Sequence, residues 1–226
     1  MAGTTALSLN LSQCGEFEKP NPYHAGQIFD TAMAGKGHLL SPSELALWRA
    51  QFLRTLGKLL REQKMRLVCR MTPQNKPRCG AYSIAAVIKT LTYLKEWGAL
   101  PPTLFTFPAD TIPTDVGALA NSFFEETGAP LVYLGIEASG QTPHALRGAI
   151  RRLLGAGLLP LFLGMCDDDR GALSSPARAR FGEALVDVLL EWQGDGIGFG
   201  DDSVLSGALE QVWYKGLLHF FAPEKE

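Results

Sequence analysis

Residues 74–86 read Gln74-Asn75-Lys76-Pro77-Arg78-Cys79-Gly80-Ala81-Tyr82-Ser83-Ile84-Ala85-Ala86, a polar loop running into a long apolar stretch. From Cys79 to Trp97 the apolar positions Ile84, Val87, Ile88, Leu91 and Leu94 recur at helical spacing, and Gly98 with the Pro101-Pro102 pair stops the pattern. The sequence therefore predicts a helix with Cys79 at its N-terminus. There the macrodipole and the unpaired backbone N–H groups favour the thiolate, the reactive form of a cysteine. Gly80 lets another backbone come close, and the Gln74 side-chain amide, upstream in the same loop, supplies a donor for an oxyanion. One stretch thus offers a nucleophile, a dipole and an oxyanion donor.

The flanking chain is punctuated clearly. Residues 1–40 are turn-rich, with Pro20, Pro22, Gly26, Gly35 and Gly37, and predict a loosely ordered or packed arm. Ser41 as N-cap, Pro42 at the first helical position and Glu44 in a capping box open a helix that runs to Glu62. Its apolar positions are Leu45, Trp48, Phe52, Leu56, Leu59 and Leu60. Met65 to Met71 reads as a strand and Leu104 to Phe107 as another. A helix over Asp115 to Thr127 is stopped by Gly128, and Leu131 to Gly135 is an apolar strand. Thr142 caps a helix to Leu154, and Leu158 to Met165 is a buried strand. The segment Ala184 to Phe199 carries Asp195-Gly196 between apolar runs, a hairpin signal. Its rival is one continuous amphipathic helix over Ala177 to Trp192.

The Gln74…Cys79-Gly80 box resembles the nucleophile site of papain-like cysteine peptidases, nearest the branch that trims double-glycine leaders from bacteriocins. The order of elements over residues 65–222 is similar by layout. The resemblance implies an α+β fold with a helical N-terminal lobe and a C-terminal antiparallel sheet. It also implies Cys79 as nucleophile and Gln74 as oxyanion donor, with the acidic pair Asp201-Asp202 standing where the family has Asp-Pro and Asp201 in the orienting role. The family's histidine is missing: Glu183 holds the matching place. A carboxylate there raises a thiol pKa instead of lowering it. Of the four histidines, His24 lies in a proline-rich arm, His38 precedes a capped helix and His219 sits in an apolar stretch where packing is expected. His144, in the first turn of a helix, is left for the role, although the dipole there disfavours an imidazolium.

The 226 residues are 46% hydrophobic and 19% charged, enough to bury a single large core and wrong for a disordered chain. The organisation expected is an arm and helix over 1–62 followed by a papain-like domain over 63–226. A formal net charge of −2 leaves no basic surplus for nucleic acid, and the cluster Arg147, Arg151, Arg152 reads as a solvated helix face. No apolar run approaches the ~18 residues of a membrane span, and Met1 to Asn10 lacks the regions of a signal peptide, which makes the cytoplasm the default compartment. The four cysteines show no paired zinc spacing, so neither a structural metal nor a cofactor is expected.

Three functions compete. The missing histidine favours a degenerate cysteine-peptidase-like domain, a pseudoenzyme that binds a protein or peptide as a scaffold module. The second is an active cysteine peptidase or acyl transferase using Cys79. The third sets aside the resemblance for an α/β three-layer fold with a parallel sheet. Asp167, Asp169 and Glu137 follow apolar strands, and carboxylates at the carboxyl ends of strands hold Mg²⁺.

Overall fold

Five short apolar runs pair side by side in the computed structural model, which describes residues 6–10, 41–71, 84–166, 174–196 and 201–221. They are β1 (Ala6–Asn10), β2 (Arg66–Arg70), β3 (Thr103–Pro108), β4 (Val132–Glu137) and β5 (Phe162–Met165). Every neighbouring pair in the sheet is parallel, and the spatial order is the chain order, β1-β2-β3-β4-β5. Parallel neighbours need a crossover, and helices supply it: α1 (Pro42–Glu62), α2 (Ile84–Glu96), α3 (Val116–Asn121) and α4 (Pro143–Gly155) fall between successive strands. After β5 come α5 (Ser174–Gly194), α6 (Asp202–Glu210), a π-helical stretch Gln211–Lys215 and α7 (Gly216–Phe221).

This corrects the α+β, papain-like expectation. Among the described residues the sheet holds no antiparallel pair; the one antiparallel bridge, Phe124 with Pro130, lies outside it. The parallel α/β class, the alternative, is what the chain adopts. The physical reason is legible in the strands. β3 is buried at every position and β4 at all but Glu137, as strands covered on both faces must be.

Alternation along the strands divides two layers of core. Leu67, Cys69, Phe105, Phe107, Val132, Leu134, Ile136 and Phe162 share a cluster with the buried faces of α1 to α5. On α1 that face is Ala50, Leu53 and Leu60, while Phe52 and Leu59 are about half exposed. Helical spacing was right for this element, with Leu56 and Leu60 on the buried side as expected and Phe52 and Leu59 turned outward. Each large side chain fully buried here contributes roughly 1.5–3 kcal/mol.

The opposite face has a smaller cluster, Leu104, Tyr133, Leu163 and Phe220, flanked by Val68, Leu217 and Phe221. The chain's last helices reach it by passing β5. Gly164 has φ +80° and lies under the Val212 carbonyl, where a Cβ would collide, so glycine is required at that crossing. Helices therefore cover both faces, the third layer being α7. Among the described residues no helix is long and apolar enough to cross a membrane.

Several boundaries differ from expectation: the strand read over Leu158 to Met165 begins only at Phe162, after a 3-10 turn at Leu159–Leu161. The hairpin over Ala184–Phe199 is instead the helical rival, because Ala177, Phe181, Ala184, Leu185, Val188 and Leu189 bury one helical stripe against the sheet. Its Asp195-Gly196 ends the helix, with Gly196 at φ +72°. The helix predicted to Thr127 stops at Asn121, since Phe123 and Glu125 engage Leu131 and Ala129 through backbone hydrogen bonds. Residues 6–10, within the predicted arm, form an edge strand on β2. The Arg147 and Arg151 face is exposed but ion-paired, to Asp187 and Glu191 of α5.

Candidate functional site at the carboxyl ends of the strands

All five strands point the same way, so their carboxyl ends form one rim, and the residues that face away from α1–α5 stack in rows across it. In the lower row Val68 registers with Leu104 and Leu104 with Tyr133. This row is apolar and lies against Phe220, whose ring meets Tyr133 edge-on at 5.0 Å. Burial pushes the Tyr133 phenol above its ordinary pKa, a shift that nearby Arg66 opposes. The next row up changes character. Arg70 registers with Thr106 and Thr106 with Gly135.

Cys166 completes that row from β5. Its N–H donates to the Ile136 carbonyl at 2.9 Å, which continues the β4–β5 ladder, and its thiol donates to the Gly164 carbonyl at 3.8 Å. A Cβ on Gly135 would sit 2.5 Å from the Cys166 sulfur and 3.0 Å from its Cβ. The cysteine side chain thus occupies the place that a side chain at Gly135 would fill. Glu137 ends β4 just above, half-buried, and accepts a hydrogen bond from the Thr106 hydroxyl to Oε1 at 2.8 Å. Thr106 itself is 1% exposed. A carboxylate, a buried hydroxyl and a thiol therefore lie close together on the rim, with Arg70 in register beside Thr106.

Of the residues singled out from sequence as site candidates, Glu137 is the one placed beside this row, one step further along β4. His144 is exposed in the first turn of α4, a helix capped by the Thr142 hydroxyl, which accepts from the Ala145 N–H at 3.2 Å. Asp201 is exposed and caps α6: its Oδ1 accepts from the Ser203 N–H at 2.8 Å, the Val204 N–H at 3.0 Å and the Ser203 hydroxyl. These bonds, the Ser203 hydroxyl first, hold its pKa below the usual carboxylate value. Asp201 thus serves as the N-cap of a helix. Glu183 lies exposed on α5, on a helix and not on a sheet strand, and His219 is exposed where packing was expected. Gln74, Cys79, Asp167 and Asp169 fall outside the described residues, as do His24 and His38.

Thr106, Gly135, Cys166 and Arg70 were missed by the sequence reading. A signal existed: Thr106 and Glu137 are polar residues on one face near the ends of otherwise apolar runs, and such positions in parallel sheets are where ligands are met. Among the described residues no group of three or more His, Cys, Asp or Glu side chains is close enough to hold a metal ion.

No protein-family model matches the chain, and no curated protein does. Among solved structures it is similar to the crystal structure of uronate isomerase from Thermotoga maritima, with a TM-score of 0.68 at 20% identity. The likeness is one of fold. It covers 96% of this chain and 48% of that one, so the chain spans about half the length of its neighbour. Together with the all-parallel sheet, this match overturns the papain-like resemblance and what was drawn from it. Neither a cysteine peptidase nor a pseudoenzyme scaffold of that fold finds support.

Proposed function

We propose that this chain belongs to a metal-dependent α/β enzyme whose site lies at the carboxyl ends of the parallel strands, with Glu137 as a ligand. The observation that carries the reading is the Glu137 carboxylate at the end of β4, with one oxygen held by a buried hydroxyl at 2.8 Å. Asp167 and Asp169 come soon after Cys166 in the sequence and are the further carboxylates this reading invokes; they lie outside the described residues. Hard oxygen donors of this kind suit Mg²⁺, and the hydroxyl of Thr106 is compatible with it. The Cys166 thiol fits Mg²⁺ poorly and is assigned no ligand role here.

When bound, a divalent cation in such a place supplies Lewis acidity toward a carbonyl or hydroxyl oxygen. The chain's own contribution is to fix the carboxylate and to keep apolar side chains beneath the row. The neighbour is by name an isomerase of uronates, so sugar acids are the first substrates to screen, with isomerisation as the reaction. Titration calorimetry with Mg²⁺ or Mn²⁺ tests the reading. The protein should bind one ion per chain, and Glu137→Gln should weaken that binding at least ~10-fold, as loss of a charged ligand does. Equal binding by both proteins would remove Glu137 from the site and end the proposal.

A further inference from the structure

We infer that this chain associates with further copies of itself head to tail, the outward stripe of α1 on one copy docking against the α5–α6 face of the next. This association does not depend on the metal-site reading above. α1 is apolar on two opposite sides. Ala50, Leu53 and Leu60 are buried in the core, while Phe52 and Leu59 lie on the far side with Trp48, whose ring stacks on Phe52 at 5.5 Å. A helix with apolar residues on both sides belongs between two layers, and the described residues supply one. The second surface is built by two antiparallel helices. The Gln193 side-chain amide donates to Asp202 Oδ1 at 3.1 Å where α6 begins. At the other end the Trp213 ring lies over Gly182, where a Cβ would come within 2.9 Å of it. Val186 and Leu190 continue the Gly182 stripe at four-residue spacing, and with Val204 and Trp213 they are between 40% and 51% exposed. Apolar side chains gathered in this way on one helix pair mark a docking surface, as the same residues scattered singly would not.

Charge selects the pairing. Residues 48–62 hold Arg49, Arg54, Lys58 and Arg61 against Glu62, whereas residues 186–196 and 201–210 hold six acids and no base. Asp187 and Glu191 are engaged by Arg147 and Arg151 of α4, but Asp195, Asp201 and Asp202 are exposed where α5 ends and α6 begins. Either surface against its own counterpart would bring like charges together, while α1 against the α5–α6 face joins opposite signs. The two surfaces sit at opposite ends of the sheet. α1 crosses from β1 to β2 and α5 follows β5, at least three strand spacings of ~4.8 Å away. One molecule cannot close them on each other, and a second copy can. Such a contact is heterologous: it closes into a ring where the rotation between copies permits and otherwise extends into a chain.

Sedimentation velocity of the full chain across a concentration series tests the contact. The parent should form species whose mass grows with concentration. Phe52→Glu blocks the α1 stripe and Leu190→Lys blocks the α5–α6 face, both at exposed positions, so each variant alone should sediment as a monomer. Mixed in equal amounts, the two should form a one-to-one dimer of about twice the mass, because each retains the surface that the other has lost. Far-ultraviolet circular dichroism of both should match the parent's, and Leu59→Glu and Val186→Lys replace a variant whose spectrum departs from it. A parent that stays monomeric up to its solubility limit would overturn the inference. So would a single variant that still associates, since a surface would then be pairing with its own kind. A mixture that stays monomeric would overturn it too.

Discussion

Gly135 and Cys166 illustrate how closely one position can depend on another across two strands. The cysteine side chain lies over the glycine, with its sulfur 2.5 Å from where a Cβ would stand and Leu104 Cδ1 at 3.4 Å on another side. A methyl group has no space there, and overpacking of this kind costs about 1–3 kcal/mol. Gly135→Ala should therefore lower the unfolding free energy measured in urea by that amount, and adding Cys166→Ala should recover part of the loss by removing the sulfur. Two independent, additive losses would show that the two side chains do not compete for the same space. Sequence reading offered no hint of the pair, because Gly135 ends an apolar run and Cys166 was one of four scattered cysteines. Their meeting is decided by the β4–β5 register, in which Cys166 bonds to Ile136.

At the scale of an element, the start of the helix α6 is held by a single carboxylate. The Asp201 carboxylate satisfies the first N–H groups of a helix. The bonded, ionised form is favoured, so its pKa is lowered on folding. A lowered carboxylate contributes stability above its unfolded value, near about 4, and loses it as pH falls through the folded value. The gap in thermal midpoint between the parent and Asp201→Ala should accordingly be full at neutral pH and close as the pH drops below about 4. A gap that persists unchanged in acid would mean the carboxylate's charge has no part in the cap. Capping residues of this sort were visible in the sequence. Thr142 before α4 was read correctly, because an N-cap is a local interaction that needs only its own turn.

For the whole molecule, the segment Gly216–Phe221 is what allows a five-stranded parallel sheet to cover its second face. Phe220 is 2% exposed, and its backbone carbonyl accepts from the buried Arg66 Nε at 2.9 Å, tying the C-terminal helix to the start of β2. Its ring packs between Tyr133 and Phe221. Phe220→Ala should cost about 3–5 kcal/mol, measured by urea unfolding, as for other buried aromatic truncations. A loss within about 0.5 kcal/mol would place this helix outside the cooperative core. The same layering arranges the candidate site: an apolar row shielded by α7 lies beneath, and the polar row of Arg70, Thr106 and Cys166 lies above it at the strands' carboxyl ends.

The sequence by itself determined the local pieces: where β2 to β4 run, where α1, α2 and α4 lie, and that Glu137 stands at the end of an apolar run. Those features depend on periodicity, caps and breakers within a few residues of one another. Only the tertiary structure decided that the strands are all parallel, that Ser174–Gly194 is helix and not hairpin, and that Thr106 reaches Glu137 across the ladder. The reason is physical. A short apolar run carries the same pattern whether its neighbour is parallel or antiparallel, and side chains from different strands are brought together by register, which is settled by packing the whole sheet between its helices.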